Sequence, residues 1–135
     1  MSTRSFICVE QDDGSYKGVY CHSDGYLTYN GAMLLDHYNS REKASEIIAL
    51  GDLSLLCEKL YPDPERPHSF DYDSRQEDVT VAYGRDRGEK GTEAREITLE
   101  DAKESWCEYM YVFGKDGKWS YYNLCEYAPE LRDVQ

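Results

Sequence analysis

An Asp-Gly turn lies between alternating segments near each end of this chain: Asp13-Gly14 between residues 5–10 and 16–22, and Asp116-Gly117 between 109–113 and 119–124. Tight hairpin turns demand positive φ at their central positions, which Gly and Asp reach cheaply, so each match predicts an antiparallel hairpin. In the first, Ile7 and Val9 take one face while Phe6 and Cys8 take the other. A chain that opens and closes on hairpins must fold around an antiparallel sheet, and the text between them supplies what covers it.

Gly31, Leu34, Leu35 and Tyr38 recur at helical spacing and predict a helix within 27–38. Asn39 with Glu42 three residues on resembles a capping box for a second helix, with Ala44, Ile47 and Ile48 inward and Gly51 as its stop. The apolar run 53–60 reads as a further helical turn. Residues 79–83 (VTVAY) predict a strand, and Thr98 with Asp101 opens a short helix bearing Leu99, Ala102 and Trp106 on one side. The order β-β-α-α-β-α-β-β has no βαβ alternation long enough to require a parallel sheet. It predicts an α+β fold, a mainly antiparallel sheet of about five strands with helices on one face. A length of 135 residues fits one such domain over 1–135.

Pro62, Pro64 and Pro67 interrupt the pattern, and the stretch that follows has no apolar period, so 61–78 reads as an acidic loop. It carries Asp63, Glu65, Asp71, Asp73, Glu77 and Asp78 against Arg66 and Arg75. Over residues 61–105 there are 13 acids and 7 bases, a net −6 out of the −12 of the whole chain. Such density costs self-repulsion unless solvent or a cationic partner absorbs it. The same charge argues against direct nucleic-acid binding, since surplus carboxylates repel phosphate. No apolar run approaches the ~20 residues of a membrane span and no secretory h-region opens the chain, which points to a soluble cytoplasmic protein.

The five cysteines (Cys8, Cys21, Cys57, Cys107 and Cys125) form no C-x-x-C pair and read as reduced, with Cys8, Cys21 and Cys107 as small core residues. The densest chemical grouping is Tyr20-Cys21-His22-Ser23-Asp24-Gly25-Tyr26. Cys21 and His22 are neighbours on a strand and point to opposite faces, so they make no direct nucleophile–base dyad; His37 or His68 would have to be brought in by the fold. No catalytic residue is assigned. Metal motifs are missing: there is no H-E-x-x-H, and Asp71-x-Asp73 lacks the glycine and final glutamate of a calcium loop. No cofactor is expected. Gly84, Gly88 and Gly91 lack a P-loop's Lys-Ser/Thr, although Arg85 and Arg87 beside them suit a phosphate or carboxylate. Seven aromatic residues between 109 and 127 exceed what one face of a ribbon can bury. Tyr109, Tyr111, Trp119 and Tyr121 are therefore candidate partner anchors.

Ser2-Thr3-Arg4-Ser5, the 20–26 run, Gly31 and Leu34-Leu35-Asp36-His37-Tyr38 together resemble a family of small acidic proteins of tailed phages and prophages, across roughly residues 2–60 with a weaker match at 79–87. Members of that family more often carry tryptophan where Ser23 stands here. The resemblance implies a mobile-element origin and carries over no catalytic residue. It favours a non-enzymatic inhibitor in the host cytoplasm, binding a basic surface of a nucleic-acid-handling or anti-phage defence protein. Two other readings stand beside it. One is a nucleotide-like ligand binder or enzyme that uses His22, Asp24 and Tyr26 with Arg85 and Arg87, where the 20–26 turn would meet the 84–88 loop. The other is a virion structural or assembly protein. Hairpin edges leave room for homo-oligomers in any of them.

Overall fold

A computed structural model describes residues 3–134. Met1, Ser2 and Gln135, and with Ser2 the first residue of the Ser2-Thr3-Arg4-Ser5 match, lie outside the described residues. Both hairpins form: β1 (Ser5–Glu10) with β2 (Tyr16–Cys21), and β6 (Tyr109–Phe113) with β7 (Trp119–Asn123). Gly14 and Gly117 take the positive φ their turns require, +86° and +79°.

The class is α+β, but the sheet is larger and mixed. Among the described residues eight strands run in the order β4 (Val81–Ala82), β3 (Leu53–Leu55), β2, β1, β6, β7, β8 (Arg132–Asp133), with β5 (Arg95–Glu96) beside β2. The two hairpins join through a parallel pairing of β1 with β6, Ser5 opposite Tyr109 and Val9 opposite Phe113. Parallel neighbours need a crossover, and the whole of the intervening chain provides it. The expected helical turn at 53–60 is instead β3 (Leu53–Leu55), parallel to β2 and antiparallel to β4 (Val81–Ala82). A short apolar run fits a buried strand or a buried helix equally, and here the open edge at the end of β2 decides, where His22 N donates to Leu53 O and Ser23 N to Ser54 O. β5 and β8 (Arg132–Asp133) are two-residue edge strands below the reach of sequence periodicity.

Helices cover both faces rather than one. After a wide π turn at Leu27–Gly31, α1 (Ala32–His37) and α2 (Arg41–Ala49) pack Leu34, Ala44 and Ile47 onto Ile7, Val9, Val19, Tyr111, Phe113 and Trp119. On the other face α4 (Leu99–Glu104) places Ala102 with Phe6, Cys8, Met110 and Val112. The α2 cap is Ser40, one residue later than expected, its Oγ accepting from Lys43 N. The Thr98–Asp101 capping box forms as predicted. Because α4 stops at Glu104, Trp106 does not join Leu99 and Ala102; it is exposed. The predicted strand at 79–83 shortens to two residues, as Tyr83 already begins α3 (Tyr83–Arg87). Among the described residues no helix is long and apolar enough to cross a membrane.

Candidate partner surface

Three prolines and six acids make 61–78 a poor helix and a poor strand, yet its path is pinned by polar contacts. Gln76 is buried, and its side-chain amide accepts from Asp63 N (2.9 Å) while donating to the carbonyls of Asp63 (3.0 Å), Arg66 (3.0 Å) and Pro67 (3.3 Å). One amide thus ties both ends of the segment together and satisfies backbone groups that no ladder reaches. The next contact is His68, whose Nδ1 accepts from Gln76 N at 3.0 Å. A neutral ring that accepts at Nδ1 carries its proton on Nε2, and that nitrogen faces Asp86 Oδ2 at 3.4 Å.

Asp86, in α3, is the centre of this clamp. Its carboxylate accepts from Arg85 Nε (2.9 Å), from Arg85 Nη2 (3.0 Å) and from Ala82 N (2.8 Å), and its side chain is only 4% exposed, with His68 at 3%. Burial pushes the Asp86 carboxyl up, but the Arg85 hydrogen bond, the Ala82 N–H and the charge of Arg85 outweigh it and hold the group below its usual range. Arg85 reaches on to the carbonyls of Leu60 and Thr80, the two sides of the segment's base. Phe70 completes the contact: its N–H donates to Asp86 O, its ring lies 5.5 Å from that of Tyr83, and the Arg87 guanidinium sits 4.8 Å from its centroid.

With the backbone held from inside, the six acids named from sequence (Asp63, Glu65, Asp71, Asp73, Glu77 and Asp78) are all exposed. Among the described residues Asp52, Glu58, Asp86, Glu89 and Glu126 form ion pairs with arginines or histidines. The aromatic anchors need correction. Trp119 is 1% exposed, donates from Nε1 to Tyr38 O and packs edge-on against Phe113; Tyr111 is 0% exposed and donates to Gly25 O. Both are core, because the face of β6 and β7 that carries them lies under α1 and α2. Tyr109 and Tyr121 are half-buried beside them, ring centroids 6.1 Å apart. Among the described residues the exposed rings are Tyr26, Tyr61, Trp106 and Tyr127.

The 20–26 grouping is spent on structure. Cys21 is buried, with burial raising its thiol to about 11, and it touches the Asn30 amide and Ser23 O. Burial likewise raises Cys8, Cys57 and Cys107, so no activated thiolate arises from these four. His22 Nδ1 pairs with the Tyr20 hydroxyl at 2.7 Å. Asp24 has φ +52° and its carbonyl accepts from Asn30 N; Gly25 N donates to Thr3 O. A Cβ at Gly25 would meet Ser5 Cβ at 2.8 Å and Thr3 O at 2.9 Å. Gly25→Ala is therefore expected to destabilise the fold by about 1–3 kcal/mol in urea unfolding, and a variant as stable as the parent would contradict this packing.

Between the 20–26 turn and the 84–88 segment lies β3, and Asp52 links their near ends, its Oδ1 accepting from Tyr20 N and its carbonyl from Tyr83 N. His22 and Ser23 bond to β3, whose other side pairs β4 ahead of α3, so a strand separates the two segments. Arg85 is committed to the clamp, and Arg87 lines a shallow cleft with Ser69, Phe70 and Asp71 but with none of His22, Asp24 or Tyr26. No group of three or more His, Cys, Asp or Glu among the described residues is arranged to hold a metal. Sequence reasoning missed Gln76, His68 and Asp86. His68 reads in the sequence only as a catalytic base, Gln76 acts on backbone groups across the loop, and Asp86, although it bonds to its neighbours Arg85 and Ala82, reads as one more charge in a charged run. No protein-family model matches this chain, and neither curated proteins nor solved structures give a match.

Proposed function

We propose that this chain is a phage or prophage accessory protein that acts without bond chemistry, laying the carboxylates of its 61–78 lobe on the basic surface of a host nucleic-acid-handling or anti-phage defence protein. The observation that carries the reading is the division of labour within the lobe. Gln76, His68 and Asp86 satisfy the backbone inward, and six carboxylates face solvent. A flexible acidic loop would lose conformational freedom on binding, whereas a clamped one has already met that cost during folding. Its carboxylates repel one another in the free protein, so a cationic partner gains attraction and relieves repulsion together. A groove that neutralises nucleic-acid phosphates offers Lys and Arg in the density such an array requires.

The test is the salt dependence of binding to a partner recovered from host lysate at low salt and then purified. Affinity is expected to fall at least tenfold between about 50 and 300 mM salt. A variant with Asp71, Asp73, Glu77 and Asp78 changed to their amides should bind more weakly and with a shallower slope. A flat salt profile would remove the carboxylate array from the account.

A further inference from the structure

Trp106 is 86% and Tyr127 97% exposed, in a protein that buries Trp119 and Tyr111 completely enough to hydrogen-bond them inside. The backbone explains how the rings are left out. At the end of α4, Ser105 Oγ donates to Ala102 O and accepts from Cys107 N, a tight turn that sends Cys107 into the core and Trp106 to solvent. Leu124 likewise enters the core, and Tyr127 follows it outside. The two segments are tied: Leu124 N donates to Glu108 O at 2.8 Å, and Lys103 Nζ donates to Tyr127 O at 3.2 Å.

The charges beside these rings choose the occupant. Glu100, Asp101, Glu104 and Glu130 are exposed and Glu108 is half-buried. Of the cations near these segments, Lys103 donates to the Tyr127 carbonyl and Arg132 pairs with both oxygens of Glu126, while Arg4, whose carbonyl accepts from Glu108 N, adds a single further charge that leaves the acids in excess. A nucleobase would suit the indole face, but its phosphates would meet the carboxylates. A second copy of this chain would bring the same negative charge. A guanidinium satisfies both features, stacking on the indole quadrupole while pairing with the acids. We propose that Trp106, flanked in the chain by Glu104 and Glu108 and carried on a turn tied to the segment of Tyr127, is a docking point for an arginine side chain of a cationic polypeptide. This rests on the reading above for the class of partner, but it uses a surface other than the 61–78 lobe.

The probe is an arginine-rich peptide of about ten residues titrated into the full chain, followed by tryptophan fluorescence and by the two indole N–H resonances. The Trp106 signal should shift and saturate while that of Trp119, bonded to Tyr38 O, stays put. Trp106→Ala and Trp106→Leu should each weaken binding roughly tenfold, and Trp106→Phe should recover most of it, because the ring face rather than apolar bulk is what the guanidinium needs. The position is exposed, so these variants keep the fold. Binding of the peptide to Trp106→Ala within twofold of the parent overturns the docking point; if neutralising the lobe abolishes that same binding, the proposed function stands without it. Loss on Trp106→Ala with no effect of lobe neutralisation supports the docking point and counts against the lobe. A dimer that dissociates on Trp106→Ala would assign the rings to a second copy and overturn the proposal.

Discussion

Trp119→Ala is expected to lower the unfolding free energy by about 3–5 kcal/mol, a large share of the roughly 5–15 kcal/mol that holds a domain folded. The indole is 1% exposed, packs edge-on against Phe113 at 5.3 Å between centroids, and satisfies the Tyr38 carbonyl at the end of α1. Removing it opens a cavity between the sheet and α1 and leaves that carbonyl unpaired. Trp119→Phe should keep the packing in part and cost less. Trp106→Ala, the contrasting change, should stay within roughly 0.5 kcal/mol of the parent. Urea unfolding of the three variants checks the assignment of one tryptophan to the core and the other to the surface. A stable Trp119→Ala protein would contradict it.

Asp86→Asn should cost about 2–4 kcal/mol and loosen the acidic lobe selectively. The substitution keeps shape but removes the charge that pairs with Arg85 and faces His68, and it turns one acceptor oxygen into a donor opposite Arg85 or the Ala82 N–H. Limited proteolysis should then cut within 61–78 before the core opens. The pH dependence has a definite sign. The folded carboxyl lies below the ordinary value of 3.8, so its contribution is fully present above that pH and is lost as pH falls through the lower, folded value. The stability gap between parent and Asp86→Asn should thus be widest near neutrality and shrink below about pH 4. A gap that is independent of pH, or a lobe equally protected in both proteins, would contradict the clamp.

Features read correctly from sequence share one property: their causes lie within a few residues. Asp13-Gly14 and Asp116-Gly117 specify turns by their own φ preferences, Thr98 and Asp101 cap each other, and Gly51 ends α2 at φ +83°. The parallel joining of β1 to β6 depends on distant register and leaves no local trace. β3 was obscured because Leu53, Leu55 and Leu56 suit either element until β2 presents an open edge. Alternation over 109–113 and 119–124 correctly marked the two strands of the second hairpin. It could not show that both faces are covered, which is why Tyr111 and Trp119 looked like surface anchors. The six acids of the lobe were legible as exposed from their density alone. The clamp beneath them was not, because Gln76, His68 and Asp86 acquire meaning only once α3 is folded against the segment.

The most direct measurement is an amide hydrogen-exchange footprint of the chain with its salt-sensitive partner bound. In the free protein the amides of Asp63 and Gln76, held by side chains, should already exchange slowly. Partner binding should add protection among the solvent-facing amides of 63–78. Protection gathered instead on 20–26 and 84–88, with the lobe unchanged, would contradict the account and favour the ligand-binding reading in its place.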